Sequence, residues 1–275
     1  MYAYRLAYDG RPYYGFQRQP DVPTVEGALL DALGALGVRE GAGTPPGYAA
    51  AGRTDAGVSA AAQTVAFDAP DWCTPAALNG ELPATVRAWA RAPAPAAFHA
   101  THDATRRTYR YHLHAPRAAV DDAAVRAAAD RLAGAHDFHN LTPDDAGTER
   151  DLSLAVERDG AFLVVRASAG GFARQLVRRL VGLLDEVGRG TGREAALARV
   201  DRVLGAAPLD GPAGVSPAPP EPLVLVGVRY PDLAFEADPD AVASARDVLD
   251  GRRVAALGAA RALGSVLDGV AGGVE

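Results

Sequence analysis

Strand and helix signals alternate along this chain in an order that is written twice, and that repetition limits its fold more than any other feature. In the first half, Tyr2 to Tyr8 alternates as a strand, and Thr24 then caps a helix whose apolar face is Val25, Leu29, Leu33 and Leu36. Short strands follow at about Tyr48 to Ala51 and Gln63 to Phe67. Thr74 and Pro75 mark the start of a second helix, and a strand at about Val86 to Ala90 closes the unit. The order is βαββαβ, the split βαβ or ferredoxin-like arrangement.

The second half repeats it. A strand at Arg106 to Leu113 leads into a helix from Asp121 to Ala133, and a hairpin of Leu152 to Arg158 and Ala161 to Ser168 turns at Asp159-Gly160. A long helix from Phe172 to Val187 and a strand from Leu223 to Tyr230 complete the unit. An extra helix, Arg193 to Leu204, and a Pro/Gly-rich loop from Pro208 to Pro222 lie between them, and loops of that length tend to belong to sites. The fold class is therefore α/β (α+β): two ferredoxin-like, RRM-like units, residues 1–100 and 101–231, joined into one mostly antiparallel sheet with a central cleft. Residues 232–275 form an acidic, Ala-rich helical tail in which Val242, Val248, Val254, Leu257, Leu263 and Leu267 are irregularly spaced. An open sheet with aromatic platforms is how RNA-recognition modules hold single-stranded bases, but architecture alone assigns no function.

With 48% hydrophobic residues, the 275-residue chain can bury one large core or two smaller ones. No apolar run approaches the ~20 residues that cross a bilayer, and Met1-Tyr2-Ala3-Tyr4-Arg5 lacks the layout of a signal peptide, so a cytoplasmic protein is expected. Cys73 is the only cysteine, which excludes an internal disulfide and a multi-cysteine zinc site. The formal net charge of -6 weighs against a nucleic-acid partner, yet residues 231–275 hold eight acidic groups against four arginines, leaving -2 for residues 1–230. All 28 basic residues are arginine, the side chain suited to forked phosphate contacts.

Gly52-Arg53-Thr54-Asp55-Ala56-Gly57 places an acid two positions from a base between two glycines that permit a tight backbone. By itself Asp-Ala-Gly is more often a turn than a catalytic carboxylate. Arg174, Arg178 and Arg179 read as the polar face of a helix. In the strand from Arg106, alternation sends Arg107, Tyr109, Tyr111 and Leu113 to one face and Arg106, Thr108, Arg110 and His112 to the other. Core packing is the ordinary role of such tyrosines, as of Leu223 at the head of its strand. His136 and His139 lack the further ligands of a metal site. Gly170-Gly171 lacks both the lysine and the GxGxxG spacing of a phosphate loop. No metal and no organic cofactor are expected.

The string GRTDAGV from Gly52 to Val58 is preceded by Tyr8-Asp9-Gly10, Tyr14-Gly15-Phe16-Gln17-Arg18-Gln19 and Thr24-Val25-Glu26. It is followed by Asn79 with Leu82-Pro83, Phe98-His99-Ala100, Arg107-Thr108-Tyr109-Arg110-Tyr111, His136-Asp137-Phe138, Gly171-Phe172, Val177-Arg178-Arg179 with Val181-Gly182, and Leu223 to Pro231. In this order the motifs resemble the tRNA pseudouridine synthase A family, over about residues 2–231.

The resemblance implies an enzyme that isomerises uridine to pseudouridine in the anticodon stem-loop of tRNA, at positions 38, 39 and 40, working as a homodimer without a cofactor. It implies that Asp55 is the catalytic aspartate, adding to the uracil ring or assisting cleavage of the glycosidic bond. Either route needs an ionised carboxylate, which a neighbouring arginine favours and orients. Arg178 matches that partner, Tyr109 the aromatic that stacks on the uracil, Arg53 the residue that helps displace the target base, and Leu223 the apolar wall of the pocket. The chain departs from the pattern at Ser59, where many relatives have histidine, at Thr101, where arginine is common, and at Pro222, where glycine is common. Two other readings use the same residues: a non-catalytic RNA-binding protein, and a cofactor-free enzyme acting on nucleotides.

Overall fold

In the computed structural model, which describes residues 1–190, 192–209 and 211–271, the two halves share one sheet. Strand β1 (Tyr2–Tyr8), helix α1 (Val25–Ala35), strands β2 (Ala49–Ala50) and β3 (Ser59–Phe67), helix α2 (Pro75–Glu81) and strand β4 (Val86–Pro93) make up the first half. The helix starts lie where local chemistry sets them. The Thr24 hydroxyl accepts from the Gly27 N–H at 3.1 Å, the Thr74 hydroxyl accepts from the Ala77 N–H at 3.1 Å, and Pro75 opens α2.

The second half runs β5 (Arg106–His114), α3 (Asp122–Leu132), β6 (Gly134–Asp137), β7 (Glu149–Asp159), β8 (Phe162–Ala169), α4 (Leu176–Gly188), α5 (Arg193–Val203) and β9 (Leu223–Arg229). Strand order is β4-β1-β3-β2 in the first half and β9-β5-β8-β7 in the second, the same split βαβ order. The halves meet where Ser59 and Ala60 of β3 pair in parallel with Val224 and Leu225 of β9; the other pairings are antiparallel.

Several boundaries differ from the sequence reading. Strand β3 begins four residues before Gln63, and it is this extension that reaches β9. Helix α4 begins at Leu176, not Phe172, because Gln175 lies in the left-handed region at φ 60° and breaks the apolar pattern before it becomes helical. The hairpin turns at Gly160-Ala161, since β7 continues through Asp159. Strand β6 carries no alternating apolar signal and adds to the free edge of β7.

Two apolar clusters fill the interior. One gathers Leu6, Tyr8, Leu29, Leu33 and Phe67, and the other gathers Leu113, Leu132, Leu163, Leu180 and Leu184. Tyr109 packs against both. Tyr111, two residues further along β5, is 2% exposed and serves as core.

The tail is strand β10 (Glu236–Ala237), paired with β4, and helix α6 (Pro239–Ala271); residues 272–275 lie outside the described residues. The irregular apolar spacing has a physical reason. Ala241 and Ala245 are buried in the early turns of α6, whereas Val254, Leu257, Leu263 and Leu267 stand exposed beyond the body. Arg252 marks the division, donating from Nε (2.7 Å) and lying 2.6 Å through Nη2 from Oδ2 of Asp9, a buried residue that Arg11 also grips at 2.7 Å.

Burial works to raise the pKa of Asp9, but the hydrogen bonds from Arg11 and Arg252 prevail and lower it to about 2. A carboxylate held below its unfolded value stabilises the fold above that value, and the stabilisation is lost as the pH falls toward the folded one. Asp9→Asn is therefore expected to cost about 2 kcal/mol at neutral pH. Urea denaturation at a series of pH values checks this: the gap between wild type and variant should narrow as the pH falls below about 4.

Candidate active site

The loop between β2 and β3 carries Asp55, and its backbone is fixed from several sides. Thr54 is buried with its hydroxyl 2.9 Å from that of Tyr8, the Thr54 carbonyl accepts from the Phe16 N–H at 3.0 Å, and the Gly52 carbonyl accepts from Gln63 Nε2 at 2.8 Å. Two glycines allow the segment before α1 to come this close. A Cβ on Gly10 would lie 2.0 Å from the Val58 carbonyl oxygen, and one on Gly15, at φ +102°, would lie 2.9 Å from the Thr54 oxygen. Gly52 to Gly57 is thus a turn, clamped by its neighbours, that presents the Asp55 carboxylate to a cleft.

Helix α4 supplies the partner. Arg178 Nη1 donates to Asp55 Oδ2 at 3.1 Å while its Nε donates to the Ala218 carbonyl at 2.8 Å. The Ala218 N–H donates back to the Arg178 carbonyl at 2.9 Å, so the loop before β9 splints the arginine. That loop sits against α4 because residue 182 is glycine; a Cβ there would lie 2.1 Å from the Ser216 carbonyl oxygen. Arg178 is not a solvated face residue, since its side chain is only 15% exposed against 33% for Asp55.

Asp55 and Arg178 line a cleft of about 1230 Å³, together with Arg53, Tyr109, Phe172 and Leu223. All five residues singled out in the sequence therefore meet at one place, drawn from both halves. Arg53 is exposed and, among the described residues, makes no ion pair. Leu223 is 5% exposed and belongs to the second core cluster. The Tyr109 ring stands edge-on to Phe172, with centroids 5.1 Å apart and planes at 90°. Burial pushes the Tyr109 hydroxyl up to about 12, Arg107 pulls it down and Asp55 adds to the rise, so the phenol is protonated at neutral pH.

Three further residues shape the cleft without having stood out in the sequence. Phe172 precedes α4 and props Tyr109. Tyr14, 59% exposed, presents a free aromatic ring at the cleft wall. Arg107 ties three segments together, donating to the carbonyls of Ala51, Thr101 and Gly170. The first two lie within motifs quoted above, Gly171-Phe172 and Tyr14-Gly15-Phe16. Arg107 opens the quoted run Arg107-Thr108-Tyr109-Arg110-Tyr111, yet nothing in that run marked a role of its own for it. At the three departures from the family pattern, the Ser59 hydroxyl accepts from the Gly10 N–H, the Thr101 hydroxyl donates to the Ala50 carbonyl, and the Pro222 carbonyl accepts from the His112 N–H. Among the described residues, no group of three His, Cys, Asp or Glu side chains is placed to hold a metal ion.

Comparison with known proteins gives this geometry its class. Residues 128–231 match the family model described as tRNA pseudouridine synthase. A tRNA pseudouridine synthase A of Haloarcula marismortui is 59% identical over 98% of this chain and 100% of its own length, and one of Natronomonas pharaonis is 58% identical over 97% and 98%. One of Thermococcus kodakarensis is 36% identical over 89% of this chain and 90% of its own. Among solved structures, an archaeal box H/ACA sRNP Nop10-Cbf5 complex overlaps 68% of this chain and 44% of that one at 16% identity and a TM-score of 0.35, too slight a likeness to bear on the reading. The class is that of the pseudouridine synthases, isomerases that modify RNA. Within it, the chain belongs to the tRNA pseudouridine synthase A family.

Proposed function

We propose that the cleft receives a uridine of the tRNA anticodon stem-loop, at positions 38, 39 and 40, and that Asp55 is the nucleophile that converts it to pseudouridine. The observation that carries this reading is the 3.1 Å pairing of Asp55 with Arg178 in a cleft that also contains an aromatic ring and an apolar wall. In the reaction the bond from ribose C1′ to uracil N1 breaks, the base turns, and a bond from C1′ to C5 forms. The proton leaves C5 and N1 gains one, so atoms and charge balance without a redox partner. Asp55 holds the intermediate by adding to the ring or to C1′, and either step draws on an oriented, ionised carboxylate.

The other residues take roles that suit their surroundings. Tyr109 stacks on the uracil; its protonated hydroxyl carries no charge to repel the phosphates. Leu223 walls the pocket. Extrusion of a base from a stem costs a few kcal/mol of unstacking, and the unpaired Arg53 fills the gap it leaves. Residues 1–100 and 101–231 act as two units that share the site, with 232–275 as an appendage. The protein works as a homodimer in the cytoplasm, its acidic tails set away from the RNA.

Incubation with an unmodified tRNA transcript, followed by mapping of pseudouridine, tests the reading. Modification at positions 38, 39 and 40 is expected. Binding without modification would favour a non-catalytic RNA-binding protein, and turnover of free UMP but not of tRNA would favour an enzyme of nucleotides.

A further inference from the structure

Outside the cleft, the second half of the sheet turns a face of arginines to solvent. Alternation in β5 puts Arg106, Thr108, Arg110 and His112 opposite the face that packs Tyr109, Tyr111 and Leu113 into the core. The register then sets like charges side by side: Arg106 of β5 lies directly across from Arg229 of β9, and Arg110 directly across from Arg166 of β8. Like charges opposite one another on adjacent strands destabilise a sheet. None of these four has a carboxylate within ion-pairing distance among the described residues, although twelve other arginines do.

Arg106, Arg166 and Arg229 are exposed, and Arg110 buries an Nε that has no hydrogen-bond partner in the protein. Thr108 and Ser168 lie between the two arginine rows, their hydroxyls 2.9 Å apart. By register Asp151, Glu157 and Asp159 of β7 share this face, but none of them pairs with the four arginines, and in a chain of net charge -6 two such cation pairs suit a polyanion.

The surface neighbours the cleft, Gly170 of one standing two residues from Phe172 of the other. Arg106 and Arg229 line a recess of about 330 Å³ with Thr105, Ser153, Gly170 and Asp151, and Asp151 pairs with neither arginine. Arg107 joins the two hollows, donating to the Thr101 carbonyl on the cleft side and to the Gly170 carbonyl on the recess side. From Arg106 the strand carries the second pair, Arg110 and Arg166, roughly 13 Å further from the rim at about 3.3 Å per residue.

We infer that this face, Arg106 and Arg229 at the rim and Arg110 and Arg166 beyond, is a second contact for tRNA, gripping backbone phosphates of the part of the molecule outside the anticodon stem-loop. The inference rests on the proposed function for the position of the stem-loop in the cleft. Guanidinium forks match phosphate oxygens, and each phosphate neutralised releases counterions. The like-charge cost in the free sheet is relieved once RNA is bound.

Fluorescently labelled full-length tRNA and an isolated anticodon stem-loop, each titrated against wild type, Arg106→Gln/Arg229→Gln and Arg110→Gln/Arg166→Gln over a range of salt, provide the test. For full-length tRNA, each double variant is expected to bind more weakly and to flatten the plot of log affinity against log salt by about 1.4 to 1.8, at about 0.7 to 0.9 per arginine contact. Affinity for the stem-loop and its turnover should stay as in wild type, and thermal melting should show little loss of stability, since each variant removes a repulsion and the bond lost from Arg106 Nη2 to the Ser153 hydroxyl, 3.0 Å, is exposed. An unchanged slope with full-length tRNA overturns the inference. So does a change in sedimentation with the variants, which would make the face a contact between copies of the chain. If the wild type leaves the anticodon arm unmodified while the slope still falls in the variants, the proposed function fails and the phosphate contact stands.

Discussion

Asp55→Asn is expected to lower turnover on tRNA by a factor on the order of 10⁴ or more, the scale seen when a nucleophile is removed from an enzyme. The substitution changes little else. Asparagine has the shape of aspartate, and its amide oxygen can still accept from Arg178 Nη1, which stands 3.1 Å from Oδ2 in the native site. The backbone that carries residue 55 is held by Thr54, Gly52 and Gly15, so the loop does not depend on the carboxylate for its shape. With a third of the Asp55 side chain in contact with solvent, loss of the charge should leave the melting temperature near that of wild type. Affinity for tRNA should hold or rise slightly, because a negative charge leaves a cleft that faces phosphates. Single-turnover assays alongside equilibrium binding decide the matter, and near-native turnover in the variant would remove Asp55 from the chemistry.

What could be read in the sequence was what is encoded locally or spelled out in motifs. The caps at Thr24 and Thr74 declared their helices because the bonds they make span three residues. The repeated βαββαβ order survived into the strand order because each unit is one contiguous stretch of chain, although its pairings reach as far as Tyr2 to Pro93. The union of the halves was invisible at the level of detail, since it rests on two residues of β3 pairing with two of β9 across more than 160 positions, with no pattern in either segment to announce it. Gln175 ended the apparent helix from Phe172 by a backbone conformation that its side-chain type does not signal.

The site followed a similar division. Asp55, Arg53, Tyr109, Arg178 and Leu223 emerged from motifs, and the geometry gathers them. Arg107 was quoted in a motif, but its role escaped because its acceptors are backbone carbonyls of Ala51, Thr101 and Gly170, and any residue type could provide them. The tail was legible as a helix, but its irregular apolar spacing was not, because one helix does two things, packing with its early turns and standing free with its later ones.

Arg178 is the residue on which the two halves of the site depend, and its replacement is expected to show as a loss of rate rather than of binding. The guanidinium does two jobs at once from a rigid plane. Nη1 holds Asp55 and Nε holds the Ala218 carbonyl, while the Arg178 backbone accepts from the Ala218 N–H. Arg178→Lys keeps the charge but replaces the fork with one ammonium on a flexible stem, which cannot span both acceptors in a fixed direction. A nucleophile displaced by about 1 Å loses about a hundredfold in rate. A fall in kcat of that order is expected for Arg178→Lys with KM little changed, and a larger fall for Arg178→Gln, which also removes the positive charge beside Asp55. A merely structural arginine behaves otherwise: its loss lowers the melting temperature and the active fraction together, and the surviving molecules turn over at the native rate. Active-site titration separates these cases, and a native kcat per active molecule in Arg178→Lys would refute the positioning role.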